Sequence, residues 1–291
     1  MTLRANTQNE MYFYNRQKFY FNYETDWGLR FNMGLQTESN RTAGQLHYYH
    51  LDGTESYRLR KSDVQIGIRW NPGVSYVNTK QQRIPVNLDS PELSLNHSMG
   101  LKGFLGGQFQ SNVTTFSFYK RQWLGSWGNI DLHGTAKAQW NKVPFPLLIM
   151  PAANLSYIVQ EETFNMINNM EFLNDRYASL DVSWDLNGKL LNRIPLLKKL
   201  KWREYIGVKT LWGKLTDKNN PTLLANAGDP VLWSFPEGSY VMDPKRPYVE
   251  VVAGLHNIFK ILHVEYVHRC NYNPLPTAKK NGVRFMLRVT F

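Results

Sequence analysis

The chain has 291 residues, a formal net charge of +11 and one cysteine, Cys270, so an internal disulfide is excluded. Aromatic residues make up 14% of it, yet its mean hydropathy is that of a polar chain. Strict alternation produces this combination, because a strand of a membrane barrel shows only every second side chain to lipid. The longest apolar stretch, Phe145 to Leu155, contains two prolines and falls short of the roughly 20 residues of a membrane-spanning helix.

The first residues, MTLRANTQNEMYFY, lack the charged region, apolar run and cleavage site of a signal peptide. A membrane barrel must be exported, so we expect a natural precursor with a signal peptide, a periplasmic domain and first strands upstream of this sequence. Lysine and arginine are spread over strands and turns, which disfavours a nucleic-acid partner. The charge suits the anionic headgroups of outer-membrane lipid and lipopolysaccharide, or a cationic lumen.

Alternation of apolar and polar residues recurs along the chain and predicts about 14 strands. Their predicted extents are Lys18–Thr25, Gly28–Ser39, Arg41–His50, Tyr57–Asn71, Val74–Val86, Glu92–Leu101, Asn112–Trp123, Ser126–Trp140, Phe164–Leu173, Tyr177–Asn187, Lys201–Leu215, Tyr248–His256, Leu262–Tyr272 and Val283–Phe291. The pattern predicts an all-β fold, a transmembrane antiparallel β-barrel that occupies residues 1–291 as one domain. We expect it to be part of a 16-stranded barrel truncated at its N-terminus.

The two faces of these strands predict which side chains meet lipid and which meet the lumen. In one of the longest runs, Ala178, Leu180, Val182 and Trp184 are predicted to face lipid. The charged and polar candidates for the lumen are Arg30, Arg69, Asp131, Lys137, Asp181, Asp185, His263, Glu265, Arg269, Arg284 and Arg288. Their mixed signs indicate internal salt bridges rather than a selective pore.

The last ten residues, GVRFMLRVTF, form the most distinctive strand. One face carries Val283, Phe285, Leu287, Val289 and Phe291, and the other carries arginine and threonine. A soluble sandwich can also end in this way. The terminal aromatic residue nevertheless resembles the C-terminal sorting strand of bacterial outer-membrane barrels, and this strand would close the barrel at its seam with the first strand.

If the C-terminus is periplasmic, the alternating strand directions place the loop Thr216–Pro247 outside the cell. The same count places two apolar connections, Asn141–Thr163 and Gly188–Leu200, on the inner side, together with the glycine-rich turn Gly100–Gly107. The connection Gly188–Leu200 contains LLNRIPLLKKL. It is either an amphipathic turn at the inner membrane interface or a docking surface for a periplasmic partner.

Residue spacing predicts neither a catalytic site nor a cofactor or metal site. A nucleophile and its base must reach each other, but the neighbours His97 and Ser98 point to opposite faces of one strand. The pairs His47 with His50 and His263 with His268 are likewise out of phase for metal binding.

The runs FNMINNMEFLNDRYASLDVSWDLNG, LLNRIPLLKKLKWREYIGVKTLWGKL and PYVEVVAGLHNIFKILHVEYV carry a family resemblance, which covers about Gln82 to Phe291. The chain resembles the barrel part of an uncharacterised family of Gram-negative outer-membrane proteins, in which a carboxypeptidase-regulatory-like domain precedes a barrel of unknown function. More distantly it is similar to the BamA and TamA surface-antigen superfamily, whose barrels insert or translocate proteins. The arginine-glycine-aromatic motif of that superfamily's inward loop has no match here, since Asp175, Arg176 and Tyr177 lack the glycine.

The resemblance implies a non-enzymatic BamA- or TamA-like barrel of the outer membrane that serves outer-membrane protein assembly or protein export. Its partners would be a client outer-membrane protein or a periplasmic protein, and a client strand would add at the seam. The alternative is a porin-like or receptor barrel that transports a small solute or anchors a periplasmic module. A barrel enzyme ranks last, because no site supports it.

Overall fold

The computed structural model of the chain describes residues 10–81, 83–87 and 89–288. Within them, fifteen strands are β1 (Glu10–Glu24), β2 (Leu29–Gly44), β3 (Tyr48–Tyr49), β4 (Glu55–Ser56), β5 (Arg58–Trp70), β6 (Tyr76–Asn78), β7 (Arg83–Pro85), β8 (Glu92–Gly100), β9 (Ser111–Trp123), β10 (Asn129–Gln139), β11 (Arg176–Asp185), β12 (Arg203–Lys214), β13 (Tyr248–Ile258), β14 (Leu262–Arg269) and β15 (Asn281–Leu287). Helical structure is limited to α1 (Pro195–Lys198) and to 3₁₀ turns at Phe104–Gly106, Gly125–Trp127, Phe145–Leu147, Leu191–Arg193, Asp217–Asn219 and Leu224–Asn226. Within the described ranges, no helix is long and apolar enough to cross a membrane.

Eleven of these strands form one antiparallel sheet in chain order, from β1 at one edge to β15 at the other. The strands β3 and β4, and β6 and β7, form two small hairpins outside it. Each strand of the large sheet pairs with its neighbours in sequence, and in the described residues β1 and β15 are not paired with each other. The all-β antiparallel class predicted from alternation is confirmed.

Three of the predicted strands are wrong. Arg41–His50 is not a separate strand, because β2 continues through Arg41 and stays paired with β1 as far as Gly44. Val74–Val86 forms the small hairpin of β6 and β7. Phe164–Leu173 makes only isolated bridges, and its side chains are buried whichever way they point, so its apolar residues do not define one face of a sheet.

The sheet has two ends that differ in their connections. The turn end carries residues 25–28, 71–91, 124–128, 186–202 and 259–261. The loop end carries residues 45–57, 101–110, 140–175, 215–247 and 270–280. Asn141–Thr163 and Gly100–Gly107 were predicted on the opposite side from Thr216–Pro247, but all three lie at the loop end. Losing the predicted strand Phe164–Leu173 reverses the direction of β8, β9 and β10, and this explains the error. Losing Val74–Val86 as a sheet strand restores the predicted direction of β5.

The sheet exposes its apolar face and buries its polar one. In β2, Met33 is 60% exposed, whereas Gln36 and Glu38 on the other face are 7% and 6% exposed. The same alternation holds in β12, where Ile206 is exposed and Lys209 is buried. This is the reverse of a water-soluble sheet, in which the apolar face forms the core.

The polar face is covered by residues 140–175, which we call the interior segment. It joins β10 to β11 but packs across the inner faces of β12 to β15. Its apolar residues enter two buried clusters, one shared with Leu46, Tyr48 and Trp233 of the other loops. The second cluster is shared with the sheet through Leu211 and Tyr248. The loops and the interior of the sheet therefore pack as one body.

Candidate functional site: the interior segment and the closing edge

Three charged side chains of adjacent strands hold the interior segment. Glu250 of β13, Arg269 of β14 and Arg284 of β15 all point to the polar face, and each is at most 1% exposed. Glu250 lies directly opposite Arg269 in the register of β13 and β14. Because side chains alternate between faces, these positions must all point inward once the apolar residues beside them point outward.

Glu250 binds the backbone of the interior segment. Its two carboxylate oxygens accept hydrogen bonds from the amides of Asn165 (2.8 Å) and Met166 (3.0 Å). The hydroxyl of Tyr248 donates a third bond at 2.9 Å. A carboxylate with several donors can remain buried, because the bonds replace those that it would make with water.

Arg269 binds the same turn from the next strand. Its guanidinium forms an ion pair with Glu171 of the interior segment at 2.7 Å and donates to the carbonyl of Met166 at 3.2 Å. It also donates to the carbonyl of Tyr272 at 3.0 Å and lies over the ring of Tyr248, 5.1 Å from its centre. The planar guanidinium suits this role, because it carries several donors in fixed directions.

Arg284 completes the attachment from β15. Its guanidinium donates to the carbonyl of Asn165 and, at 2.9 Å, to that of Val283. The amides of Asn165 and Met166 thus bind Glu250, while their carbonyls bind Arg284 and Arg269. We call Glu250, Arg269 and Arg284 the clamp.

Lys209 of β12 extends this attachment along the segment. Its ammonium group contacts Asp181 at 3.0 Å and donates to the carbonyl of Thr163 at 2.8 Å. A cavity of about 100 Å³ lies between the sheet and the segment, and it is lined by Asp181, Thr163 and His133 among others. Its lining mixes polar side chains such as Ser117 and Ser179 with apolar ones such as Phe118 and Phe164.

The segment also reaches the outer strand edge of the sheet. The amide of Phe285 in β15 donates to the carbonyl of Tyr157 at 2.8 Å, and the amide of Val159 donates to the carbonyl of Phe285 at 2.8 Å. Ile158 and Phe285 thereby form a parallel bridge. We call this side of β15 the closing edge, because it faces away from β14.

At the loop end, polar contacts tie the interior segment to residues 215–247. Asp175 accepts hydrogen bonds from the amide of Thr216 at 3.2 Å and from the side chain of Asn219 at 3.0 Å. Lys142 pairs with Asp229 at 2.6 Å, and this hydrogen bond lowers the pKa of the Asp229 carboxyl. Burial in the loop cluster raises the pKa of the Tyr48 hydroxyl.

The remaining lumen candidates are not part of the clamp, although Glu265 lies directly opposite Arg284 in the register of β14 and β15. Asp131 pairs with Arg121 at 2.6 Å, and Arg69 pairs with Glu92 at 3.3 Å. Placements of the others are Arg30 paired with Glu24, Lys137 over the ring of Tyr177, Asp185 bonded to the amide of Asn187, His263 beside the ring of His256, Glu265 paired with His256, and Arg288 paired with Glu161.

Of the predicted seam residues, Val283, Phe285 and Leu287 are exposed on the apolar face of β15. Val289 and Phe291 lie outside the residues that the structure describes.

Sequence reasoning missed Glu250 and Glu171. Both stand as single carboxylates in apolar runs, YVEVV and NMEFL, and a charge in such a run needs a buried partner. That signal identifies them as paired residues, but the contacts between the interior segment and the sheet that they make span 84 to 98 positions of the chain.

Comparison with known proteins agrees with this architecture. Residues 2–220 match the model of a family of unknown function, the DUF5686 C-terminal domain. The chain belongs to this family. The matched residues stop before β13, so the clamp lies outside them. No curated protein matches the chain.

Among solved structures, the chain is similar to BamA from Haemophilus ducreyi lacking POTRA domains 1–3. The two share 11% sequence identity with a TM-score of 0.58. The similarity covers 95% of this chain and 55% of the BamA chain, so the present chain spans about half of that protein. At this identity the likeness establishes a BamA-like barrel fold.

Proposed function

We propose that this chain is the barrel of a non-enzymatic outer-membrane protein that assembles or exports other proteins. The observation that carries the proposal is the closing edge of a BamA-like fold. Within the described part of β15, the interior segment forms backbone hydrogen bonds with Phe285 alone. An edge with free backbone groups is where another strand can add.

The outward face supports a location in the outer membrane. Its apolar residues stay exposed while the polar face is buried, and such a surface is stable only when a nonaqueous medium or a partner covers it. The turn end would face the periplasm and the loop end the cell exterior. Outer-membrane lipid and lipopolysaccharide would then cover the apolar belt, and the client would be another outer-membrane protein.

The filled interior disfavours an open solute pore. Residues of the interior segment occupy the polar face from β12 to β15 and are fastened by buried charges. Conduction needs a continuous aqueous path, and the segment takes up part of the space that such a path would need.

Reconstitution of the full natural chain into liposomes tests the proposal. A urea-denatured reporter barrel is added, and its folding is followed by the mobility shift of unheated samples in gels. We expect folding at least tenfold faster than in protein-free liposomes, and no stepwise current in planar bilayers. A folding rate equal to that of protein-free liposomes would reject the assembly role, and steady conductance would favour the porin-like alternative.

A further inference from the structure

The closing edge of β15 is already occupied in part by the chain itself. Tyr157 and Val159 bind the amide and the carbonyl of Phe285, as an added strand would. The guanidinium of Arg284 covers the carbonyl of Val283 on the adjoining stretch. These contacts use backbone groups that a neighbouring strand would otherwise bind.

The alternation of the strand identifies the groups that face this edge. Backbone groups point alternately to the two sides of a strand, and the amide of Arg288 points toward β14, where it binds the carbonyl of Ile261 at 2.8 Å. Residues of the opposite parity in β15, Asn281, Val283, Phe285 and Leu287, therefore present their backbone to the closing edge. The side chains of Val283, Phe285 and Leu287 also form the apolar outer face of β15.

We propose that Tyr157–Val159 is a built-in strand that holds the closing edge until an incoming strand replaces it. This inference rests on the assembly role proposed above and adds the regulation of the same site. The partner that fits is an extended strand with every second residue apolar, because Ile158 and Phe285 are both exposed on the outer face, at 49% and 39%.

The built-in strand is suited to replacement. Among the described residues it makes two backbone hydrogen bonds to β15, both to Phe285, whereas a full strand could bind the four residues of this edge. An incoming strand of ordinary length would therefore form more bonds than it displaces.

The built-in strand can also leave without loosening the rest of the segment. Its own turn is held by Asn154, whose side-chain amide donates to the carbonyl of Ile158 at 2.9 Å, and by Ser156, whose hydroxyl donates to the same carbonyl at 3.1 Å. The clamp binds Asn165 and Met166, which lie further along the chain. Release at Phe285 therefore leaves the clamp contacts in place.

A disulfide between Ile158→Cys and Phe285→Cys, with Cys270→Ser, fixes the built-in strand on the edge. The matched control joins Ala153→Cys to Phe164→Cys, a parallel bridge whose two residues both lie within the segment. Both pairs are made in the full natural chain and assayed by reporter-barrel folding in liposomes, oxidised and reduced. We expect the 158–285 disulfide to form and to lower the folding rate at least tenfold, with recovery on reduction, while the control pair keeps its rate.

A loosening variant gives the opposite readout. Val159→Pro removes the amide that binds Phe285 and should raise the reporter folding rate two- to fivefold. Gln160→Pro, one residue further, is the control and should leave the rate unchanged.

The outcomes separate the two proposals. An unmodified chain that does not speed reporter folding overturns the assembly role and the regulation with it. An active chain whose 158–285 pair fails to oxidise, or stays fully active when oxidised, overturns the built-in strand alone. An active chain that is blocked only by the 158–285 disulfide supports both.

Discussion

At the scale of single residues, the ion pair of Arg269 and Glu171 is the most informative contact. Both side chains are at most 1% exposed, so neither charge can turn to water if its partner is lost. We expect Arg269→Met to lower the free energy of unfolding by about 3–5 kcal/mol, because it leaves a buried carboxylate without its partner. Urea titration of the protein in lipid vesicles, followed by tryptophan fluorescence, measures the change.

The control for this change is Arg288→Met. Arg288 pairs with Glu161 at 3.5 Å, but the two side chains are 64% and 78% exposed. Exposed pairs contribute about 0–1 kcal/mol, so this variant should unfold close to the unmodified protein. The double variant Arg269→Met with Glu171→Leu should recover part of the loss. Equal effects of Arg269→Met and Arg288→Met would contradict the buried clamp.

At the scale of elements, β11 tests which face of the sheet meets lipid. Leu180 lies on the apolar face and is 38% exposed, whereas its neighbour Ser179 points to the polar face and is half-buried. Leu180→Arg should cost about 2–4 kcal/mol if that face lies near the middle of a bilayer, and Ser179→Arg should cost much less. Refolding titrations into vesicles give both values, and equal costs would refute the proposed orientation. Asp181 is a poorer control, because arginine there would meet Lys209.

The turn from β9 to β10 depends on one glycine. Gly128 has φ +78°, and a Cβ atom there would lie 1.9 Å from the carbonyl oxygen of Asp185, the last residue of β11. We expect Gly128→Ala to destabilise the protein by more than about 2 kcal/mol, through backbone strain and overlap together. Gly125 also has positive φ, at +60°, but has open space around it. Gly125→Ala should therefore cost only about 1–2 kcal/mol in the same unfolding assay.

At the scale of the whole molecule, the interior segment is expected to act as a plug. Replacing residues 154–166 by a glycine-serine linker of equal length removes the backbone that the clamp holds, so water can enter between the segment and the sheet. We expect cells that carry this variant to become sensitive to a large hydrophilic antibiotic, measured by growth inhibition. The same replacement of residues 224–228, where Leu224 is 94% exposed, is the control and should leave growth unaffected. Unchanged resistance in both would show that other loops seal the lumen.

Sequence alone predicted the sheet well and the interior poorly, for one physical reason. Every strand of the sheet has a lipid-type face and a polar face, so a period of two marks it. Phe164–Leu173 is surrounded by protein, so its apolar side chains are buried on all sides and their spacing does not identify one face of a strand. It nevertheless resembled a strand, and counting it as one reversed the predicted direction of β8, β9 and β10. The sequence predicted only part of the clamp. The inward direction of Arg269 and Arg284 follows from the strand period, but their partners are backbone groups of distant residues, which the sequence does not reveal.

The sequence separations in the clamp have a consequence for the order of folding. Asn165 is bound by Glu250 and Arg284, which follow it by 85 and 119 residues. The clamp therefore cannot bind the interior segment until the last three described strands have been synthesised and paired. Contacts between residues so far apart in the chain form late in folding. A chain that stops short of them leaves polar backbone and apolar side chains of the plug uncovered, which favours proteolysis and aggregation. Burial of the interior segment therefore depends on a complete chain, because only a molecule with all three strands carries the whole clamp.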